Sequence, residues 1–127
     1  MRRQHEPADG EFAFGVELVM DIDGCDMKVI GDPGALRRYT VELVDRIKMR
    51  RYGEPWLHHF GHASAVTSGY TVFQAIETSS IIVHVSEGLR RVHVNVFSCR
   101  PFDPDDVMDH SEKFFGGTET TYSVLSR

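Results

Sequence analysis

The side chains most capable of chemistry in this sequence are Ser79, His84 and Cys99, which supply a hydroxyl, an imidazole and a thiol. They lie on a stretch from Thr78 to Cys99 in which apolar and β-branched residues fill positions 81–85 and, after the break at Gly88, valines alternate with other residues over positions 92–97. This pattern is typical of two half-buried strands joined by a turn. Pairing of the two strands would return Cys99 to the start of the first one. We therefore expect a nucleophile, a proton carrier and a thiol on one small sheet.

Each of these side chains also has a structural interpretation. A serine at a strand entrance is usually a turn residue, a histidine in an apolar strand is usually hydrogen-bonded, and a cysteine at a strand end is usually a small buried hydrophobe. We interpret the other cysteine, Cys25, as a packed residue of the turn that begins at Asp23-Gly24. The serine, histidine and cysteine become candidates for catalysis only when their spacing is considered together.

That spacing resembles a known family. The histidine follows Ser79 by five residues and the cysteine follows it by twenty, in the order S-x-I-x-V-H and then V-x-V-F-S-C. The bacterial and archaeal S-adenosylmethionine decarboxylase proenzymes have a serine followed by x-I-x-I-H and then a strand ending D-x-F-T-C. Glu17 to Asp26, ELVMDIDGCD, is similar to the first strand of that family, H-L-x-x-D-x-x-G-C-D. The resemblance extends from about Gly15 to Phe115.

Composition is consistent with one small enzyme domain. The chain has 127 residues, of which 41% are hydrophobic and 26% are charged, and this is enough for a single core. We expect a flexible tail over residues 1–11 and one domain over residues 12–127. The net charge of −5 argues against a nucleic-acid partner. With two cysteines, no signal peptide and no apolar run of about 18 residues, we expect a cytoplasmic protein with free thiols and no membrane contact.

The pattern along the chain predicts an α+β fold. Asp32-Pro33 and Asp103-Pro104 are helix start signals, in which aspartate caps the free amides and proline takes the first helical position. The first helix should have an apolar stripe and about five turns, ending at Gly53. The remaining elements should be strands at residues 12–23, 70–76 and 118–125 and in the Thr78–Cys99 hairpin, with the second helix stopped by Gly116-Gly117.

This order describes a two-layer α/β sandwich, an antiparallel sheet with helices on one face. The uncovered face of the sheet needs a partner. The resemblance implies that two protomers stack sheet to sheet into a four-layer αββα homodimer.

The decarboxylation that the resembling family catalyses requires an electrophilic group. Decarboxylation of an α-amino acid derivative leaves a carbanion, and an electrophilic carbonyl that forms an imine with the substrate amine can absorb its charge. A chain of this length cannot hold a pyridoxal phosphate domain, but a pyruvoyl group needs no imported cofactor. The resemblance implies that Ser79 attacks the carbonyl of Thr78, giving a β chain of residues 1–78 and an α chain of residues 79–127. Ser80 could also react, but only Ser79 keeps both downstream spacings.

The resemblance also assigns roles to other residues. His84 matches the family histidine that moves protons during self-cleavage, and Cys99 matches the thiol that protonates the carbanion. Thr71 falls where the family has a serine whose hydroxyl assists processing, and Ser68 competes for that role if there is an insertion. We expect no metal: His58, His59 and His62 are close in sequence, but no cysteine or carboxylate nearby completes a ligand set.

The substrate pocket departs from the family pattern. After the histidine the family reads T-W-P-E, with a ring that stacks on adenine and a glutamate that binds ribose, whereas this chain reads Val85-Ser86-Glu87-Gly88. Ser86 occupies the tryptophan position, Ala65 lies near the position of a second stacking ring, and Glu87 can match the glutamate only with a shift of one residue.

Three functions of the protein remain open, each with a small molecule as substrate or ligand. The first is S-adenosylmethionine decarboxylation for spermidine synthesis, with Phe60 or Tyr70 taking the place of the missing rings. The second is pyruvoyl-dependent decarboxylation of ornithine or arginine, whose cationic side chain could bind Asp21, Asp23 or Glu87. The third is a non-catalytic binding module, against which the complete serine, histidine and cysteine set argues.

Overall fold

Six strands pair antiparallel into one sheet in the computed structural model, which describes residues 14–127. In chain order the elements are β1 (Val16–Asp23), α1 (Met27–Ile30), α2 (Pro33–Arg46), β2 (Trp56–Phe60), β3 (Gly69–Ile76), β4 (Ser79–Ser86), β5 (Arg91–Ser98), α3 (Pro104–Phe115) and β6 (Glu119–Ser126). Across the sheet the order is β2-β3-β4-β5-β1-β6. The expected tail at residues 1–11 lies outside the described residues.

Helices cover one face of this sheet and leave the other face open. Alternate residues of the central strands are fully buried, among them Leu18 on β1, Ile81 on β4 and Val96 on β5. On the helical side Tyr39 of α2 packs against Phe115 of α3, with ring centroids 4.3 Å apart. The predicted two-layer α+β architecture is thereby confirmed. No helix within residues 14–127 is long and apolar enough to cross a membrane.

Both long helices begin where the sequence predicts. The Asp32 carboxylate accepts a hydrogen bond from the Gly34 amide at 3.0 Å, and the Asp103 carboxylate accepts one from the Asp105 amide at 2.9 Å. Capping satisfies amides that have no partner inside the helix. Helix α3 ends at Gly116, which has a φ of 66°.

The predicted end of the first helix was wrong. Helix α2 stops at Arg46 rather than near Gly53, so it has 14 residues. Lys48 has a φ of 59°, a left-handed conformation that breaks the helical hydrogen-bond pattern. The chain then runs back along the sheet, where Arg51 forms an isolated bridge with Ile76. The sequence analysis also did not predict the short helix α1.

The hairpin that contains the reactive side chains has a defined register. A two-residue turn, Glu77-Thr78, joins β3 to β4, because Ile76 pairs directly with Ser79. Strand β4 then pairs with β5 from Ser79 opposite Ser98 to Ser86 opposite Arg91. Ser79 therefore lies at one end of β4.

Candidate active site

Ser79 is the first residue of β4, and its hydroxyl has a fixed partner. Its Oγ donates a hydrogen bond of 2.6 Å to the Oγ of Ser98, its direct neighbour on β5. Ser98 is fully buried, and its Oγ also accepts a hydrogen bond of 2.9 Å from the Arg100 amide. Sequence reasoning missed Ser98, although the adjacent Cys99 was singled out.

The residue before Ser79 is held in an unfavourable conformation. Thr78 has a φ of 64°, which a β-branched residue rarely adopts. Its carbonyl oxygen accepts a hydrogen bond of 3.1 Å from the Cys99 amide. The Thr78–Ser79 peptide bond therefore combines a strained turn with a polarised carbonyl, next to a hydroxyl nucleophile.

A cleft of about 310 Å³ opens at the same end of the sheet, and Glu77, Thr78, Cys99 and Arg100 line it. Cys99 is partly exposed and carries a free thiol. The other cysteine, Cys25, is buried, and its Sγ donates to the Ile22 carbonyl oxygen at 3.3 Å. Burial raises the pKa of Cys25 to about 11, with a smaller contribution from the charge of Asp23. Cys99 is thus the thiol that a molecule in the cleft can reach.

His84 pairs with Thr71 on the open face of the sheet. The two residues are direct neighbours on β4 and β3, and Thr71 Oγ1 lies 3.0 Å from His84 Nδ1. Desolvation lowers the pKa of His84, and the nearby His93 lowers it further. Both effects favour the neutral form of the ring. Thr71, rather than Ser68, is the hydroxyl that contacts this histidine.

The structure does not bring His84 to Ser79 within one chain. Five residues separate them along β4, which corresponds to roughly 16 Å in an extended strand. The strand alternation also directs Ser79 toward the helix-covered face and His84 toward the open face. Ser80, the alternative nucleophile, is directed toward the open face and lies opposite Phe97.

The candidate substrate-binding residues Ala65, Ser86 and Glu87 come together at the far end of β4. Ser86 is buried and donates to the Val66 carbonyl oxygen, and the Gly88 amide donates to the Ala65 carbonyl oxygen at 2.9 Å. A buried serine under this loop therefore takes the position where the resembling family has a stacking ring.

Glu87 already has partners in its own chain. Its Oε1 accepts hydrogen bonds from His59 Nε2 at 2.6 Å and from Ser68 Oγ at 3.1 Å. Only Oε2 is left for a ligand.

The histidines considered for a metal site are also placed apart. His62 lies in the loop after β2 with its Nε2 3.5 Å from His59 Nδ1, so His58 and His62 do not share a strand face. Within residues 14–127 no group of three or more potential ligands is placed to hold a metal ion.

The two aspartates considered for a cationic substrate are also occupied. Asp21 Oδ1 accepts a hydrogen bond of 2.7 Å from His93 Nδ1, and Asp23 Oδ1 forms an ion pair of 2.6 Å with Arg91 Nε. Both pairs link β1 to β5 on the open face.

The two candidate replacement rings have different environments. Tyr70 contacts His59 edge to face, with ring centroids 4.9 Å apart. Phe60 is exposed on the open face in a cluster with Trp56 and Phe73, and the Trp56 and Phe73 rings stack 5.4 Å apart. Sequence reasoning missed Trp56 and Phe73, since only the register of β2 against β3 places them side by side.

Comparisons of the sequence and of the fold with known proteins both identify adenosylmethionine decarboxylases. Over residues 16–127 the sequence matches the family described as S-adenosylmethionine decarboxylase. The fold is similar to the crystal structure of the adenosylmethionine decarboxylase from Aquifex aeolicus VF5, with a TM-score of 0.75, 18% identity and coverage of 91% of each chain. No curated protein matches the sequence significantly.

Proposed function

The chain belongs to the S-adenosylmethionine decarboxylase family of pyruvoyl-dependent carboxy-lyases, and on this basis we propose that it cleaves itself between Thr78 and Ser79. Family membership confirms the predicted resemblance and makes the chain an enzyme rather than a non-catalytic module. The observation that supports self-cleavage most directly is the strained Thr78 with its hydrogen-bonded carbonyl beside the Ser79 hydroxyl.

Cleavage of the chain uses only groups of this protein, and water enters only in the last step. Ser79 Oγ attacks the carbonyl carbon of Thr78, its proton passes to the peptide nitrogen, and the amide becomes an ester. Loss of the Ser79 α-proton then expels the Thr78 carboxylate, which ends the β chain at residue 78. Water replaces nitrogen on the resulting dehydroalanine and releases ammonia, so that a ketone remains at the start of the α chain. The Cys99 amide would stabilise the oxyanion that forms on Thr78 in the first step.

The residues at the hairpin tip fit a pyruvoyl group derived from Ser79. The cleft at this end of the sheet has room for a small amino acid moiety beside that position. When formed, the group supplies an electrophilic carbonyl that absorbs the negative charge left by decarboxylation. Cys99 lines the cleft and carries the accessible thiol, so we assign it the proton that replaces the departing carboxylate.

The position of His84 favours a homodimer. Among the polar side chains of the open face lie the exposed apolar residues Trp56, Phe73, Val19 and Leu125, and exposed apolar side chains on one face of a sheet are typical of an interface. If two such faces stack, the Thr71–His84 pair of one protomer lies against the sheet of its partner rather than beside its own Ser79. We therefore propose that each site takes Ser79 and Cys99 from one protomer and His84 and Thr71 from the other.

We propose S-adenosylmethionine as the substrate. Asp21 and Asp23 are each paired through Oδ1 with a basic side chain of their own chain, which weakens the attraction that either carboxylate offers to the cationic side chain of ornithine or arginine. Phe60 offers an exposed ring on which adenine could stack. The buried Ser86 keeps a basic amino acid as the alternative, since it replaces a ring of the family's adenine site. With S-adenosylmethionine as substrate, the product serves spermidine synthesis.

We also propose a cytoplasmic location. Both cysteines of the chain are free thiols, which suits a reducing compartment.

Intact mass spectrometry of the purified protein tests the cleavage. We expect one fragment that ends at Thr78 and a second whose mass is that of residues 79–127 with a pyruvoyl group in place of the serine. A chain that stays full-length after prolonged incubation would contradict self-processing. A fragment that ends at Ser79 would move the role to Ser80.

A further inference from the structure

The cleft at the Ser79 end of the sheet has an arginine in its wall. Of the described residues that line it, Glu77, Thr78, Cys99 and Arg100, only Arg100 is basic. Arg100 is exposed, and within residues 14–127 no carboxylate lies within ion-pairing distance of its guanidinium. An arginine without an acidic partner is available to an anion that enters the cleft or forms there.

Self-cleavage would create an anion at this position. In the elimination step of the proposed reaction, the bond between Cβ and Oγ of Ser79 breaks, and Oγ leaves with the acyl group of Thr78 as a carboxylate. The α-proton of Ser79 passes to the His84 imidazole that the proposed dimer brings to the site, and a dehydroalanine remains. Negative charge grows on the leaving group as the bond breaks, so a cation beside it lowers the barrier.

The structure locates both oxygens of this carboxylate before it forms. The first is the Thr78 carbonyl oxygen, which accepts the hydrogen bond of 3.1 Å from the Cys99 amide. The second is Ser79 Oγ, which lies 2.6 Å from Ser98 Oγ. Arg100 directly follows Cys99, and its amide donates to the same Ser98 Oγ at 2.9 Å. The backbone of Arg100 is therefore fixed next to the groups that hold both oxygens, and a guanidinium matches two carboxylate oxygens.

We propose that the Arg100 guanidinium binds the carboxylate that departs from Ser79 and thereby accelerates the elimination step of self-cleavage. This inference rests on the proposed self-cleavage and adds to it a residue for that step. The preceding acyl shift forms an oxyanion that the Cys99 amide already contacts, and it releases no carboxylate. Loss of Arg100 should therefore slow the elimination more than the acyl shift, so that the ester between Thr78 and Ser79 accumulates.

Trapping of the ester with hydroxylamine, followed by intact mass spectrometry, tests the proposal. Hydroxylamine cleaves the ester and leaves an α chain that begins with an unmodified serine, whereas elimination gives an α chain that begins with a pyruvoyl group. In Arg100→Gln we expect trapped ester to accumulate and elimination to slow roughly tenfold, the scale of one hydrogen bond to a charged group. Arg100→Lys keeps the charge and should retain most of the rate.

Arg46→Gln is the matched control, because Arg46 is an exposed arginine that already pairs with Asp106 at 3.5 Å. It should process like the parent. Normal elimination in Arg100→Gln, or an equal effect in Arg46→Gln, would overturn the proposal. Normal processing with a raised KM for the substrate would also overturn it and would place Arg100 in substrate binding. The parent chain reports separately on the proposed function: a parent that gives neither trapped ester nor a pyruvoyl chain would contradict self-cleavage itself, and the role of Arg100 with it.

Discussion

The amide of Cys99 donates a hydrogen bond of 3.1 Å to the carbonyl oxygen of Thr78, so the residue that carries the accessible thiol also holds the peptide bond proposed to break. The pairing of β4 with β5 produces this contact, because Cys99 directly follows Ser98, the partner of Ser79. Cys99 can therefore act twice, through its backbone before cleavage and through its side chain afterwards.

Replacement of Cys99 by alanine should separate these two roles. Cys99→Ala keeps the amide that contacts Thr78, so self-cleavage should continue at close to the normal rate. Turnover should fall roughly a hundredfold, because the proton donor is lost. The measurements are intact mass for cleavage and carbon dioxide release for turnover. Cys25→Ala is the control: it should lower the free energy of unfolding, since Cys25 is buried, without this loss of turnover per folded molecule. Normal turnover by Cys99→Ala would return Cys99 to a structural role.

The conformation of Thr78 should contribute to the cleavage rate. Thr78→Gly removes the β-branched side chain from a φ of 64°, so the uncleaved turn should become more stable. In the Ser79→Ala background we expect the free energy of unfolding to rise by about 1 kcal/mol in urea denaturation. In the processing chain we expect self-cleavage to slow by roughly fivefold, because less strain is released.

Arg90 provides the control for this effect. It also has a positive φ, of 50°, but it lies in the turn at the other end of β4. Arg90→Gly should change stability in the same direction and leave the cleavage rate unaltered. Faster cleavage in Thr78→Gly would show that flexibility, rather than strain, limits the reaction.

The Ser98 hydroxyl should assist the nucleophile. Because Ser79 Oγ donates to Ser98 Oγ at 2.6 Å, Ser98→Ala removes the acceptor that orients the attacking oxygen. We expect self-cleavage to slow by at least about tenfold, the scale of one lost orienting hydrogen bond. Ser98→Thr keeps a hydroxyl and should retain most of the rate. Ser80→Ala, on the opposite face, should cleave normally, and loss of cleavage in that variant alone would identify Ser80 as the nucleophile.

Much of the fold could be predicted because its signals are local. Aspartate-proline pairs at Asp32 and Asp103 set the starts of the two long helices, an apolar β-branched run predicted β4, and alternation of apolar residues predicted β5. The end of α2 could not be predicted, because Lys48 takes a left-handed conformation without a glycine to signal it.

The site was less predictable, since its contacts depend on strand register. Ser98 meets Ser79, and His93 meets Asp21, only after strands distant in sequence have paired. Ser79 and His84 lie on one sheet, as predicted, but five residues of β4 separate them and strand alternation directs them to opposite faces.

Mixed dimers test whether each site draws on two protomers. Two chains are coexpressed, one with Ser79→Ala and the other with His84→Ala, and the heterodimer is isolated by two affinity tags. If Ser79 works with the partner's His84, the His84→Ala chain should be cleaved in the heterodimer, because its Ser79 faces an intact histidine. In the His84→Ala homodimer that chain should stay uncleaved. Equal failure in both dimers would place Ser79 and His84 of the same chain in one site.

Carbon dioxide release identifies the substrate. The processed protein is supplied in parallel with S-adenosylmethionine, ornithine, arginine and lysine, and we expect release from S-adenosylmethionine. Phe60→Ala should then raise KM roughly tenfold, because loss of one stacking ring costs on the order of 1–3 kcal/mol. Tyr70→Ala serves as the comparison, since its ring packs against His59 on the helix side, and it should change KM less. Asp21→Asn should leave KM for S-adenosylmethionine largely unchanged, because that carboxylate is bound to His93.

The opposite outcome would establish the basic amino acid alternative. In that case carbon dioxide is released from ornithine or arginine, and KM depends on Asp21, Asp23 or Glu87 rather than on Phe60, since a buried cation needs a paired carboxylate.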